Sequence, residues 1–582
     1  MVDYIADYLE NIRDRRVYPS VQPGYLHKRI PNKAPLAGEK WDDIIKDVDE
    51  HIMPGLVHWQ SPHMHAYFPA LTSYPSIMGE MLSSALNVLC FTWASSPAGT
   101  ELETIAMNWL GKILGLPDCF LNEKDNSPGG GVIQTTASEA TLVSLLAART
   151  RALIELAELN PEMQSAELLG HLICYCSDQA HSSVEKAGLI GLVRMRYVES
   201  DENQSMRGDK LEEAIKSDKE KGLVPFWVCA TLGTTGSVAF DNLREIGAVC
   251  RDHSTWLHVD AAYAGSAFVC PEFRHWLDGV EMADSFAFNP SKWLMVNFDC
   301  TAMWVTDSTA LHRTFNVNPI YLRHENSGKK YFCRRFRALK LWFVLRNYGV
   351  VGLQKHIREG VRLAQKFEAL ILADQRFEIP QPRNLGMVAF RLRGDNALTE
   401  RLLKRLNGRG YIHAVPACFK GIYVIRFTVT SQRTTNQDIL DDWNEIKTVA
   451  SEILLEVFGT ENGNITVPKK PRISLKETRE LNATFGTSLL LANSPMSPKI
   501  VNGTHAAICD YEQVLTSCAQ TFVQLKMEPK DSPEMRRRIR GIKTCGKMFS
   551  LDSCMDMVQG LMAEQLPHFS EDAEDASNGV WC

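Results

Sequence analysis

The sequence predicts an α/β fold with a mostly parallel sheet between helices, followed by a smaller α+β domain. Short apolar runs recur along the middle of the chain, and stretches with helical spacing separate them. Polar or Gly/Pro segments bound each run, which is typical of strands in a sheet covered by helices. The apolar runs lie at 172–176, 226–230, 256–259, 285–288 and 302–305.

Composition narrows the class of protein further. The chain has 582 residues, 45% hydrophobic residues and a net charge of −6, which are ordinary values for a globular protein. No apolar run approaches the roughly 20 residues of a membrane helix, and the first residues show no secretory signal. We therefore expect a cytoplasmic protein with reduced cysteines and no membrane contact. The mild negative charge gives no support for nucleic-acid binding, and the 15 cysteines lack the spacing of a metal site, so no metal is expected.

The chain divides into four predicted regions. The first is helical and turn-rich, and is too small to bury a core by itself, so it is expected to pack on something else, such as a second subunit. The second is the large strand-and-helix domain, and the third is a small α+β domain with strands at 386–392 and 423–430. The last is a tail rich in Asn, Ser and Pro that is expected to be partly disordered. The boundaries are 1–73, 74–360, 361–457 and 458–582.

A lysine and an aspartate at the ends of predicted strands favour a pyridine cofactor. Lys292 lies in the segment FNPSKW that follows one strand, where a lysine is ordinarily just a surface residue. Asp260 ends another strand, where it would be partly buried and would need a cationic partner. A protonated pyridine nitrogen is such a partner, and a carboxylate that keeps this nitrogen charged makes the ring an electron sink. Ala262 is small enough for a flat ring to lie against it.

Two further segments are compatible with the same cofactor. His181, in SDQAHSS after a predicted strand, can stack on a flat ring, although a lone histidine there is more often an ordinary loop residue. A GGG segment precedes Ala137, Ser138 and a helix-forming run, so backbone N–H groups can approach an anion at the helix N-terminus. Alone, such a segment is usually a turn, and its spacing matches neither a Walker loop nor a dinucleotide fingerprint. Taken together, the four segments fit pyridoxal 5′-phosphate.

The sequence resembles the group II decarboxylases of fold type I, which include the aromatic amino acid and histidine decarboxylases. Within this family it most resembles the invertebrate tyrosine decarboxylases. The similarity extends over about residues 1–457 and reappears in the tail as SLLLANSPMSPKIVNG, which favours the tyrosine branch. The matching segments are MVDYIADYLENIR, HWQSPHMHAYFPAL, FTWASSPAGTELE, SDQAHSSVEKA, HVDAAYAG and FNPSKWLMV.

The resemblance implies a seven-stranded sheet and a homodimer in which the N-terminal segment packs on the partner and both subunits share each active site. It implies that Lys292 carries the cofactor, that Asp260 pairs with its ring nitrogen, and that His181 and Ala262 lie on its two faces. The residues implied for the phosphate are Ala137, Ser138, Asn289 and Ser291, with Thr235 nearby. The residues implied for the substrate pocket are Trp59, Tyr67, Phe68, Pro69, Leu89 and Phe91, together with His181.

The resemblance also sets an expectation for the reaction. Tyr321 matches the tyrosine that returns a proton to the substrate Cα, and relatives that make aldehydes replace this tyrosine or the stacking histidine. Because both are present here, plain decarboxylation is expected, with L-tyrosine converted to tyramine and CO₂ on the route to octopamine and related biogenic amines. The alternatives are L-dopa, 5-hydroxytryptophan or L-histidine as substrate.

One departure from the family pattern supports a third alternative. The loop after Tyr321, at about 325–333, is shorter than in the family, and Cys333 stands where the family has a Gly or Ser that tunes substrate preference. Such loops close over substrates and exclude water. A chain with a disabled loop would be a catalytically impaired homologue that binds the cofactor and acts as a partner of an active subunit.

Overall fold

The structure is a computed structural model that describes residues 1–124, 126–316, 335–461 and 464–465. The chain divides into two compact units, Met1–His505 and Ala506–Cys582, and all the described residues belong to the first. Tyr321, Cys333 and nearly all of the predicted tail lie outside the described residues. The predictions made for them therefore remain predictions.

Four α-helices precede the first strand of the chain. The helix α4 shows why these segments form where they do: Pro97 opens its first turn, the Ser96 hydroxyl caps it by accepting from the Gly99 N–H, and Gly115 ends it with a φ of 82°. A side chain would make that left-handed φ costly. The helices are α1 (Val2–Glu10), α2 (Trp41–Asp47), α3 (Tyr74–Leu86) and α4 (Pro97–Leu114).

A seven-stranded sheet in the order β1-β7-β6-β5-β4-β2-β3 forms the centre of the large domain. All strands run parallel except β7, which pairs antiparallel with β1 and β6. The mostly parallel sheet and the α/β class are therefore confirmed, and all five apolar runs are strands. The strands are β1 (Gly130–Gln134), β2 (Leu172–Ser177), β3 (Arg194–Val198), β4 (Val224–Thr231), β5 (Trp256–Asp260), β6 (Ser285–Phe288) and β7 (Thr301–Val305).

Helices cover both faces of this sheet, which explains the apolar runs. In β2, Ile173 and Tyr175 belong to the core under α4 and α8, while Cys174 and Cys176 belong to the core under α5 and α7. No helix in the described ranges is long and apolar enough to cross a bilayer. The helices are α5 (Ala137–Leu159), α6 (Ser165–His171), α7 (Ser182–Gly191), α8 (Gly208–Lys219), α9 (Leu243–Asp252), α10 (Pro290–Trp293), α11 (Ser308–Phe315) and α12 (Ala338–Leu372).

A small α+β domain follows, built on an antiparallel sheet in the order β10-β11-β9-β8. Its core lies between this sheet, α13, α14 and the second half of α12. The helix α12 joins the two domains and is interrupted at Gly349, whose φ of 60° and ψ of 178° are not helical. The elements are β8 (Phe377–Glu378), β9 (Met387–Leu392), α13 (Asn396–Arg409), β10 (Val415–Phe419), β11 (Ile422–Thr428), α14 (Asn436–Phe458), β12 (Thr460–Glu461) and β13 (Asn464–Ile465).

Part of the N-terminal region packs on the small domain of its own chain. The Val17 N–H donates to the Gly410 carbonyl at 2.8 Å, and Arg13 pairs with Asp438 at 3.1 Å. Packing on a partner subunit stays a prediction for the rest of this region, such as α2, where Trp41 is 59% exposed.

Candidate active site

The predicted cofactor residues meet at one edge of the large sheet. The strands β2, β4, β5 and β6 are parallel and adjacent in the sheet, so their carboxyl ends lie side by side. His181 follows β2, Thr235 follows β4, Asp260 ends β5 and Lys292 follows β6. Because β7 runs antiparallel to both β6 and β1, the end of β1 and the start of α5 at Ala137 lie at the same edge.

Lys292 sits in the short helix α10, which begins directly after β6. Asn289 caps this helix, and the Lys292 N–H donates to the Asn289 carbonyl at 3.0 Å. Burial lowers the pKa of the Lys292 amine; the carboxylate of Asp260 opposes this shift, and Arg426 adds to it. A lowered pKa leaves more of the amine unprotonated and able to attack a carbonyl carbon.

Asp260 is a buried carboxylate with an available oxygen. Its side chain is 4% exposed, and Oδ1 accepts a hydrogen bond from the Ala262 N–H at 2.9 Å. Within the described ranges Oδ2 makes no hydrogen bond. A buried carboxylate needs a cationic partner, and a positively charged N–H group would stabilise it.

His181 caps the N-terminus of α7 and faces the same charges. Its Nδ1 accepts from the Ser183 N–H at 3.1 Å and lies 2.8 Å from the Ser183 hydroxyl. Desolvation lowers its pKa; the charge of Asp260 opposes this, and Lys292 acts in the same direction as desolvation. The ring is therefore neutral at pH 7, and the hydrogen bond from the Ser183 N–H fixes the orientation of the ring.

The predicted anion site comprises the first turn of α5 and the glycines that precede this helix. Thr136 caps the 23-residue helix α5 by accepting from the Glu139 N–H at 3.1 Å, so Ala137 and Ser138 occupy its first turn. One of the preceding glycines is also required for packing. A Cβ on Gly131 would lie 2.7 Å from Met107 and from Trp304, so this glycine lets β1 pack closely on α4.

Two polar residues next to Lys292 complete the predicted phosphate set. Asn289 and Ser291 are both buried, and the Asn289 side-chain oxygen accepts from the Ser291 N–H at 3.1 Å. Thr235 is half-buried in the loop after β4. These groups lie at the sheet edge that carries Lys292, as the sequence predicts.

An aromatic stack lies beside Lys292. Phe68 stacks on Tyr263 with ring centroids 3.9 Å apart, and Tyr263 stacks on Trp293 at 5.0 Å. The Lys292 Nζ lies 5.4 Å from the centre of the Phe68 ring. Phe68, one of the predicted substrate residues, therefore lies close to Lys292.

The other predicted pocket residues lie further out. Trp59 stacks on Tyr67 at 5.7 Å, and Pro69 is buried beside Phe68. Leu89 and Phe91 are 63% and 48% exposed, and no contact in the described residues brings either of them to Lys292. Among the described residues, this part of the predicted pocket is open.

The sequence prediction missed Arg426, a buried cation beside Phe68. Its guanidinium carbon lies 5.0 Å from the centre of the Phe68 ring, and its Nη2 donates to the Tyr67 carbonyl at 3.3 Å. No carboxylate pairs with it among the described residues, and burial lowers its pKa to about 10. The available signal was an arginine inside the apolar strand VIRF, since a charge there needs a partner.

These groups fit pyridoxal phosphate. Asp260 supplies a buried acceptor for a protonated ring nitrogen, and Lys292 supplies an amine of lowered pKa. The first turn of α5 supplies N–H groups at the same edge of the sheet for a phosphate.

Comparison with known proteins also indicates a pyridoxal-dependent decarboxylase. Residues 23–393 match the model of the pyridoxal-dependent decarboxylase conserved domain. The chain is 64% identical to histidine decarboxylase of Drosophila melanogaster over 96% of its own length, and it spans 66% of that protein. It is 54% identical to aromatic-L-amino-acid decarboxylase of the same organism over 78% of its length and 90% of that protein.

A solved structure supports the fold. The crystal structure of Oryza sativa TDC with pyridoxal phosphate and tryptamine is 38% identical, with a TM-score of 0.74, and the similarity covers 78% of this chain and 96% of that one. The predicted fold and cofactor are thus confirmed, while the finer resemblance to tyrosine decarboxylases finds no specific support in these relatives. The chain belongs to the pyridoxal-dependent decarboxylase family.

Proposed function

We propose that the chain is an amino acid decarboxylase whose substrate is L-histidine. The observation that carries this choice is the extent of similarity: the fly histidine decarboxylase matches at 64% identity over 96% of this chain, whereas the fly aromatic-L-amino-acid decarboxylase matches at 54% over 78%. Aromatic amino acids, L-tyrosine among them, are the second candidate class, supported by that second match. Tyramine and octopamine formation and the cytoplasmic location remain predictions from the sequence.

In the proposed reaction the sheet edge holds the cofactor. Lys292 would bind it covalently, Asp260 would hold its ring nitrogen, and His181 and Ala262 would lie on its faces. Asn289, Ser291, Thr235 and the first turn of α5 would bind its phosphate. When bound, pyridoxal phosphate supplies the electron sink for the electron pair that is left on Cα when CO₂ departs.

Arg426 and the aromatic stack would bind and orient the amino acid. Arg426 is a buried cation without a carboxylate partner in the described residues, and it lies beside the same Phe68 ring as the Lys292 amine. It would hold the substrate carboxylate by charge-assisted hydrogen bonds. Phe68 would exclude water from the bond that breaks. Tyr321, outside the described residues, stays the predicted donor of the proton to Cα.

A second copy of the chain would complete the pocket. The helix α3 exposes Met78, Met81, Leu82 and Leu86, and the exposed Leu89 and Phe91 follow it directly. Contiguous apolar surface of this kind marks protein interfaces. We therefore keep the predicted homodimer with a shared site as part of the proposal.

The test is CO₂ release from a panel of L-histidine, L-tyrosine, L-dopa and 5-hydroxytryptophan, at equal concentration and with pyridoxal phosphate added. We expect kcat/KM to be largest for histidine, by at least about tenfold, because a pocket built to hydrogen-bond an imidazole rejects rings that lack its nitrogens. A larger kcat/KM for tyrosine would replace the proposed substrate with the second candidate. Bound cofactor with no CO₂ from any substrate would instead identify an impaired homologue.

A further inference from the structure

A buried cluster of histidines and aspartates joins the N-terminal region to the small domain. We call His63, His65, Asp438, Asp442 and Arg13 the His–Asp cluster. Asp442, on α14, is fully buried and bridges both imidazoles: Oδ1 lies 2.7 Å from His63 Nδ1, and Oδ2 lies 2.9 Å from His65 Nε2. No residue of the cluster belongs to the cofactor or substrate sets described above.

The hydrogen bonds of His65 require an extra proton. Its Nδ1 lies 3.0 Å from the Thr428 carbonyl oxygen, which can only accept, so Nδ1 carries a hydrogen. Its Nε2 faces the carboxylate of Asp442. Both ring nitrogens thus face acceptors, and a neutral imidazole has only one N–H. A proton must therefore be shared between His65 and Asp442.

The charges around the cluster are consistent with a proton shared between His65 and Asp442. Asp438 is neutralised by Arg13, whose Nε and Nη2 each donate to it at 3.1 Å. Asp442 has no Arg or Lys partner in the described residues, so a protonated histidine is the cation left to balance it. Although burial opposes protonation, the hydrogen bond to Asp442 and the charges of Asp442 and Asp438 raise the pKa of His63 above its ordinary value.

The other groups that face the cluster add no cation. Tyr411 packs on His63 at 4.4 Å, and burial raises the pKa of its hydroxyl, so it stays neutral. Burial lowers the pKa of His413 to about 4, so this ring is also neutral. Phe427 covers His65 at 3.6 Å. On α14, Glu445 is already paired with Arg409 at 3.0 Å.

The cluster is connected to the active site by the backbone of residues 65–68. The His65 N–H donates to the His413 carbonyl at 2.9 Å, and the His65 carbonyl accepts from the Thr428 N–H at 3.2 Å. Two residues later Tyr67 adopts a φ of 60°, a strained value for a tyrosine, and its carbonyl accepts from Thr428 and Arg426. Phe68 follows at once.

We propose that His65 and Asp442 are positioning residues, and that the proton they share fixes the Tyr67–Phe68 corner against Lys292 and Arg426. The role of Phe68 in substrate binding rests on the proposed function. The shared proton itself does not, because it follows from the hydrogen bonds of His65 alone.

The test is Asp442→Asn in the pyridoxal-phosphate-loaded protein. An asparagine can accept from the N–H of His63 and donate to Nε2 of a neutral His65, so packing and hydrogen bonds persist while the shared proton is lost. Asp441→Asn is the matched control, since Asp441 neighbours it on α14 and accepts from the Gln437 side chain at 2.8 Å.

The first readout is Tm against pH. The pKa of His63, which also lies on Asp442, is raised in the folded protein, so its charge stabilises the fold fully below the unfolded histidine pKa of about 6.5, and this stability is lost as the pH rises through the folded value. We expect Asp442→Asn to melt about 2 °C below wild type at pH 6 and the gap to shrink by pH 9. An equal gap at both pH values, or the same behaviour in Asp441→Asn, would overturn the shared proton.

The second readout is the apparent Kd for L-histidine, taken from the amplitude of the change in cofactor absorbance before the first turnover is complete, a binding signal that does not require CO₂ release. We expect a rise of about tenfold in Asp442→Asn, with the absorbance of the cofactor before substrate addition unchanged. An unchanged Kd would overturn the positioning role. If the chain released no CO₂ from any substrate, the proposed function would fail while both readouts still tested the cluster. If Asp442→Asn does not fold, His65→Gln is measured in the same way, with the same expectation.

Discussion

The two walls of the candidate site are built in different ways. The cofactor wall takes His181, Asp260 and Lys292 from the ends of parallel strands of one sheet, so each side chain is placed by a few residues of local structure. In the substrate wall, the Arg426 guanidinium lies over the Phe68 ring and donates a hydrogen bond to the carbonyl of Tyr67, 359 positions earlier in the chain. The comparison indicates that the chemistry of the cofactor belongs to the sheet, whereas the handling of the substrate depends on how the small domain docks.

The largest effect is expected for Lys292→Ala, which changes the cofactor wall and leaves the substrate wall intact. Without its amine the covalent bond to the cofactor cannot form, so we expect loss of the visible absorbance of the bound cofactor and a fall in activity of more than about 10³-fold. The measurements are an absorption spectrum and CO₂ release. Lys355→Ala, an exposed lysine of α12, is the control and should leave both unchanged. Survival of the absorbance in Lys292→Ala would remove this lysine from the cofactor wall.

The variant Arg426→Gln changes the substrate wall and leaves the cofactor wall intact. Charge-assisted hydrogen bonds contribute about 1.5–3 kcal/mol each, so we expect kcat/KM to fall by about 10- to 100-fold while the cofactor absorbance is kept. Arg391→Gln is the matched control, since Arg391 is also a buried arginine of the small sheet but lies 3.7 Å from its own carboxylate, Glu378. If Arg426→Gln lost the cofactor and Arg391→Gln did not, the division between the two walls would be wrong.

The smallest effect is expected where the two walls touch. The Tyr263 hydroxyl accepts a hydrogen bond from the Gly386 N–H at 3.2 Å, across the boundary between the domains. Tyr263→Phe leaves that buried N–H without a partner, which costs about 1–2 kcal/mol, while the ring stack with Phe68 and Trp293 persists.

We expect Tyr263→Phe to lower the Tm by a few degrees, with kcat/KM within about threefold of wild type. Tyr74→Phe, which removes the hydroxyl of a tyrosine that is 47% exposed, should leave the Tm unchanged. A loss of activity without a change in Tm would mean that the hydroxyl acts on the substrate rather than on the docking of the domains.

The sequence could predict the cofactor wall because its signals are local. Apolar runs mark strands, and a polar residue directly after a run lies at the strand end whatever the rest of the chain does. The same locality explains two misses in the sheet. The strand β3 lies at the edge of the sheet and carries exposed and half-buried polar residues, so it lacks an apolar run. The strand β1 begins with glycines, which are typical of a turn, and only the packing of Trp304 and Met107 against Gly131 explains them.

By itself, the sequence determined the α/β class, five of the seven strands, and the lysine, aspartate and histidine at the sheet edge, since these follow from short-range periodicity. The tertiary structure alone decided that Arg426 lies over Phe68 and that Asp442 bridges His63 and His65. The physical reason is that a buried polar group needs a partner, and packing rather than sequence spacing determines which distant segment supplies it.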